Sequence, residues 1–289
     1  MELGKQDPVT GRMTTGHEWN GIEELDTPVP RIVLFFLAAG TLFAVIYWIL
    51  MPAWPLWSTY TKGLLGNDQR EVVARQVEEA AAERAAWTDR VTAEGYAQIE
   101  ADPALMQKVR ETGRTLFDDN CAVCHGVAAT GGPGFPSLAA KAWLWGGGPE
   151  AIAETIRVGI NSTDPDTRVS QMMAFGKDGV LDRRQIGDVV AYVQSLSQGG
   201  GDTDQIKAGQ EVFIANCVAC HGDDGKGKQD VGAPDLTDDH WIYGGDTQSI
   251  YTSVYSGRQG HMPHWGSRLS PLDIKILALY VSTLGSAAK

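Results

Sequence analysis

Two five-residue boxes, Cys121-Ala122-Val123-Cys124-His125 and Cys217-Val218-Ala219-Cys220-His221, constrain this chain more than anything else in it. C-x-x-C-H is the attachment signature of a c-type haem. Its two thiols form thioethers to the haem vinyl groups, and the adjacent histidine lies beneath the iron as proximal ligand. The boxes use all four cysteines of the chain, so none remains for a disulfide or a separate metal site. One box alone is also compatible with half of a zinc site. Two boxes inside a repeated sequence are not, and they predict two covalently bound haem c groups in a chain suited to moving electrons.

The repeat begins near Val109. Gly113, Phe117 and Cys121 answer Gly209, Phe213 and Cys217. Pro136 and Leu138 answer Pro234 and Leu236, and Trp143 with Trp145 answers Trp241 with Tyr243. Residues 152–159 match 250–257, and 181–196 match 269–284. Each copy reads as helix, haem box, glycine-rich loops, helix, methionine loop and helix. The run at 198–201, Gln-Gly-Gly-Gly, reads as a flexible joint between the copies.

An electron-carrying haem takes a sixth ligand, usually Met or His, and a thioether favours ferrous iron. The second copy offers His261-Met262-Pro263-His264-Trp265-Gly266, and the first offers Gln171-Met172-Met173-Ala174-Phe175-Gly176. Superposing the two aromatic-glycine pairs aligns Met172 with Met262, which makes these two the expected distal ligands. Met173 competes in the first copy, and a lone methionine is also ordinary core filling. His261 and His264 flank Met262 and read as surface or neighbouring polar residues; His17 and His240 have no partner at metal-ligand spacing. Pairing of each methionine with its own box is an assumption, and exchange across the joint stays open. The carbonyls of Pro136 and Pro234 are expected to orient the proximal histidines, with Leu138, Leu236, Trp143 and Trp241 packing around the haems. Glycines 131, 132 and 134 are expected to let backbone approach the macrocycle.

Residues 32–51 form an uncharged apolar run of 20 residues, the length that spans a bilayer. Trp48, Trp54, Trp57 and Tyr60 crowd its C-terminal end like an interfacial belt. No small-residue cleavage site follows, so an uncleaved anchor is expected rather than a signal peptide. Both haem boxes lie C-terminal to the span. Haem attachment of this kind takes place outside the bacterial cytoplasm, which predicts a cytoplasmic N-terminus and periplasmic haem domains. The charge rule adds little, because residues 1–31 hold three basic residues against six acidic ones. Residues 67–99 carry helical spacing within a polar linker, read as a spacer or, more sharply, as a docking helix. The net charge of −12 argues against a nucleic-acid partner and suits a basic protein partner.

The fold class expected is all-α, with one N-terminal transmembrane helix followed by two tandem class I cytochrome c domains, which each copy resembles. The boundaries expected are a cytoplasmic segment at 1–31, the span at 32–51, a helical linker at 52–105, and cytochrome domains at 106–197 and 202–289. With GIEELDTPVP at 21–30 ahead of a single span, the whole arrangement resembles the dihaem subunit III of cbb3-type cytochrome c oxidases. The departure is Met172-Met173 where that family usually reads Met-Pro. The resemblance implies Cys121, Cys124, Cys217 and Cys220 as haem attachments, and His125, Met172, His221 and Met262 as axial ligands. It further implies electrons taken from a donor cytochrome c and passed to a monohaem subunit, then to a catalytic haem-b and copper subunit that reduces oxygen and pumps protons. Two six-coordinate irons would leave this chain no oxygen chemistry of its own. A free-standing anchored dihaem carrier is the alternative, and a dihaem peroxidase would need one open iron.

Overall fold

The computed structural model describes residues 4–140 and 142–285. The extreme ends of the expected first and last segments, 1–3 and 286–289, lie outside the described residues. The chain forms two compact units, Met1–Ala82 and Glu83–Lys289.

In the first unit, strands β1 (Thr14–Trp19) and β2 (Ile22–Leu25) pair antiparallel with Trp19 opposite Ile22. The two-residue turn between them, Asn20-Gly21, has φ of 49° and 83°. Positive φ at both positions is the geometry of the favoured hairpin turn, and Asn-Gly is its strongest sequence signal. This hairpin was not expected from the sequence. Helix α1 (Arg31–Leu50) starts after the extended Pro30 and buries none of its residues. It is long and apolar enough to cross a membrane. A second small hairpin follows, β3 (Pro55–Leu56) with β4 (Thr59–Tyr60). Beyond it the chain returns to the helix end. Leu64 N–H donates to the Ile49 carbonyl at 2.9 Å and Leu65 N–H to the Leu50 carbonyl at 3.0 Å. Two of the carbonyls that a helix leaves unpaired are thereby satisfied by backbone.

Helix α2 (Gln69–Ala93) runs across the boundary between the units. The single helix expected over 67–99 is broken at Gly95, which caps α3 (Tyr96–Glu100). The second unit continues with α4 (Pro103–Asn120), α5 (Ala122–His125), α6 (Pro149–Val158) and α7 (Arg183–Gln198). It ends with α8 (Thr203–Asn216), α9 (Val218–His221), α10 (Thr247–Ser256) and α11 (Pro271–Thr283). Asp102, Asp182, Asp202, Asp246 and Ser270 accept backbone N–H bonds at the starts of α4, α7, α8, α10 and α11. Such caps are worth about 1 kcal/mol each.

The two sequence copies do not coincide with the two cores. Helix α11, from the second copy, packs on α4 and α6 of the first; α7, from the first copy, packs on α8 and α10 of the second. One core therefore joins Phe117, Ile152 and Ile156 to Leu277, Ala278 and Val281. The other joins Ile186, Val189 and Val190 to Phe213, Ile250 and Val254. The two cores use equivalent contacts: the rings of Phe117 and Tyr280 lie 5.8 Å apart, and those of Tyr192 and Phe213 5.2 Å apart. A short joint explains the exchange. Helices α7 and α8 are separated by residues 199–202, and elements joined so closely pack as neighbours. Helix α7 is thus committed to α8, and α11 takes its place against α4.

A third cluster joins Val91, Ile99, Leu105, Met106 and Val109 to Ile276 and Leu279. Lys275 Nζ donates to the Glu94 carbonyl at 2.6 Å. The distal part of the expected linker is therefore packed into the second unit rather than standing free of it.

The exchange makes a prediction for the intact chain. If a protease site is placed in the joint at 198–201 and cleaved, the two fragments should stay together through size-exclusion chromatography without denaturant. Separation into two independent haem-carrying pieces would contradict the packing.

Candidate functional site: two haem boxes with exchanged methionine loops

Each box follows directly from the helix before it. Helix α4 ends at Asn120, and the Cys121 N–H still bonds the Phe117 carbonyl at 2.8 Å; Cys217 repeats this with Phe213 at 2.7 Å. A short turn then carries the histidine inward, leaving Cys124 and Cys220 exposed and Cys121 and Cys217 half-buried. His125 Nδ1 lies 3.1 Å from the Pro136 carbonyl, and His221 Nδ1 lies 3.1 Å from the Pro234 carbonyl. Donation to those carbonyls fixes each ring and leaves Nε2 free to bind a metal. Burial pulls both imidazoles below the usual histidine range, partly offset by these bonds. The shift favours the neutral ring, the form that ligation requires. Burial also pushes the Cys121 and Cys217 thiols up to about 11. Among the described residues no three His, Cys, Asp or Glu side chains come together as a metal site.

The methionine loops are exchanged with the helices. Met262 packs against the core that holds Cys121, Leu138 and Trp143. Met172 packs against the core that holds Cys217, Leu236 and Trp241. Backbone bonds fix both crossings. Ile160 and Met262 exchange N–H to carbonyl bonds of 2.9 and 3.0 Å, and Met172 and Arg258 exchange bonds of 2.8 and 3.1 Å. Gly159 and Gly257, with φ of 69° and 71°, end α6 and α10 at these crossings. A Cβ at either would collide with the carbonyl of Met262 or Met172. Glycine is required there both by its φ and by the close approach of the exchanged loop. Met173, the competitor, is 52% exposed. His261 is exposed, and its Nδ1 is engaged by the Asn161 carbonyl at 2.9 Å.

Residues that the sequence reading did not single out test the fit of a haem. Arg168 stacks over Trp145, with Cζ 5.0 Å from the ring centre. Arg168 Nε and Trp145 Nε1 are buried without a hydrogen-bond partner. Two orphaned donors side by side call for an anionic acceptor, which a haem propionate provides. Arg168 Nη2 reaches the Ala151 carbonyl of α6 at 3.2 Å, which places the pair beside the first box's core. The repeat places Arg258 over Tyr243 at 4.3 Å. The legible signal was spacing, because both arginines stand four residues before a loop methionine. A cavity of about 760 Å³ is lined from both box loops, by Pro136 and Trp143 on one side and Pro234, Trp241 and Tyr243 on the other. The Gly134 N–H donates to the Ile242 carbonyl at 2.8 Å between the same loops.

Comparison with known proteins settles the family. Residues 11–58 match the N-terminal domain of cytochrome oxidase-cbb3, FixP. Residues 110–197 match cytochrome c, and 204–281 match cytochrome C oxidase, cbb3-type, subunit III. The chain belongs to the FixP/CcoP family of cbb3-type oxidase subunits. It is 46% identical over 285 residues to the cbb3-type cytochrome c oxidase subunit FixP of Bradyrhizobium diazoefficiens, covering 96% of this chain and 97% of the relative. It is 43% identical to the subunit CcoP of an Azospirillum species, covering 99% of both. The CcoP of Cereibacter sphaeroides is 44% identical, covering 94% of both. As a member of this family the chain carries two covalently bound haem c groups, one in each cytochrome c region.

Replacing Arg168 by Leu should lower the potential of the haem at the first box, because a nearby cation disfavours ferric iron. At an effective dielectric near 20 the change is on the order of 1 kcal/mol. A spectroelectrochemical titration checks it, and the second haem should stay where it was.

Proposed function

We propose that this chain is the dihaem electron inlet of a cbb3-type oxidase. It takes electrons from a donor cytochrome c and passes them to a monohaem subunit, and so to the catalytic haem-b and copper subunit. The observation that carries this reading is the pair of equivalent sites: in each, a histidine is held by a proline carbonyl and its box packs against the same core as a methionine loop.

Haem c, when bound, supplies a one-electron iron couple. The chain's own residues do the rest. Cys121 with Cys124 and Cys217 with Cys220 hold the two groups covalently. His125 and His221 are the proximal ligands. Met262 is the distal ligand for the first box and Met172 for the second, each supplied by the other copy. The domains expected at 106–197 and 202–289 are then sequence repeats whose functional halves are interchanged. Thioether ligation favours ferrous iron and raises the potential, as an acceptor requires. That one cavity is lined from both box loops supports direct transfer between the two sites. Helix α1 anchors the chain. With both boxes C-terminal to it, the N-terminus is cytoplasmic and the haem sites are periplasmic. The net charge of −12 favours a basic donor.

Two measurements test this. Substituting Met262 by Leu should leave both haems attached, lower the potential of the first box's haem and open it to carbon monoxide; an unchanged potential contradicts the ligand assignment. A CO-difference spectrum of the material that co-purifies with the chain from native membranes tests the assembly. Haem b with a CO-reactive component supports an oxidase, whereas haem c alone means a solitary anchored carrier.

A further inference from the structure

One side chain joins the two exchanged loops. Asn161 follows Ile160, the residue that pairs with Met262. Its Nδ2 donates to the Ser170 carbonyl at 2.8 Å and to the Gly260 carbonyl at 2.7 Å. Its Oδ1 accepts from the Ser170 N–H at 3.1 Å. Ser170 stands two residues before Met172, and Gly260 two residues before Met262. The Asn161 backbone is equally engaged: its N–H donates to the Arg168 carbonyl at 2.8 Å, and its carbonyl accepts from His261 Nδ1 at 2.9 Å. Its φ is 48°, in the left-handed region that Asn tolerates better than most residues. Both amide hydrogens and the amide oxygen are used. A reversed amide would set its oxygen against two carbonyls, so the orientation is fixed by the network.

We propose that Asn161 is a positioning residue for both distal methionines, so that one carboxamide governs the axial ligation of both irons. The proposal rests on the reading of Met172 and Met262 as ligands. The physical reason is geometric. At and beyond its methionine each loop is held by backbone bonds: Met262, Trp265 and Gly266 bond Ile160, Ile156 and Arg157, and Met172 and Lys177 bond Arg258 and Tyr255. The carboxamide holds the other, N-terminal side of each loop, at Ser170 and Gly260, so that each methionine is fixed from both sides rather than from one. Since the same group serves both, a disturbance at Asn161 reaches both irons although it touches neither.

The experiment uses the full-length, haem-loaded chain with Asn161→Asp and Asn161→Gly, each also placed in Met172→Leu and in Met262→Leu. Asp keeps the size and the left-handed backbone but loses both donors; Gly keeps only the backbone. The readouts are the charge-transfer absorption of methionine-ligated ferric haem and the two midpoint potentials. Haem content per chain confirms folding. In each single-Met background the residual absorption reports one iron. Asp loses one carboxamide bond to each loop, an about five-fold shift toward the unligated form at each iron, and Gly loses a second bond to the Met172 loop and shifts that iron further. Both Asn161 variants should therefore weaken the absorption in both backgrounds and lower both potentials. An effect confined to one background, or either variant behaving as the unsubstituted chain, overturns the proposal. The underlying ligand reading fails differently: Met172→Leu or Met262→Leu alone would then leave the absorption intact.

Discussion

The packing of each C-terminal helix on the other copy's N-terminal helix is the constraint from which the rest of the haem-bearing unit follows. Gly209 is where it is tightest. A Cβ there would strike the Asp188 carbonyl of α7, and at the equivalent Gly113 it would lie 2.5 Å from the Tyr280 Cβ of α11. Beside these contacts Phe117 and Phe213 are fully buried, each contributing about 2–3 kcal/mol. Once α7 lies on α8, the loop that precedes it must run into the second box's core, and Met172 arrives there. The same argument carries Met262 to the first box. Exchange of the methionine loops is thus a consequence of helix packing and of a joint only four residues long.

The proximal and distal halves of each site are held by different physics. The proximal half is local: the histidine and its proline carbonyl are 11 and 13 positions apart in the two copies, and one hydrogen bond of 3.1 Å orients each ring. The distal half is long-range and depends on backbone pairs between residues about 90 to 100 positions apart. Neither copy supplies both the box and the methionine loop that pack against one core. The buried Arg168 and Trp145 donors add a third element, polar groups that an anion carried by the bound group would satisfy.

What could be read from the sequence divides along the same line. The boxes, the proline carbonyls, the packing tryptophans and the methionine loops were legible because each is a local pattern repeated twice. The preference for Met172 over Met173 came from aligning the loops, and the half-exposed Met173 side chain supports it. The partner of each loop was not legible, since the pattern inside a copy is the same whichever copy it packs against. Asn161 was invisible for a related reason: it lies in an insertion of the first copy, and its partners are backbone groups. The hairpin at 14–25 was legible through Asn20-Gly21 but was overlooked in a short polar segment with no apolar alternation. The break at Gly95 was hidden inside a continuous helical pattern that ends in buried Val91 and Ile99.

The central claim is that each iron is ligated by residues from both copies. The most direct measurement is nuclear Overhauser contact in the reduced protein labelled with ¹³C at its methionine methyls. The methyl resonance assigned to Met262 through its loss in the Leu variant should be strongly ring-current shifted and should contact the haem attached at Cys121 and Cys124. Contacts from that methyl to the haem at Cys217 and Cys220 instead would contradict the exchanged architecture.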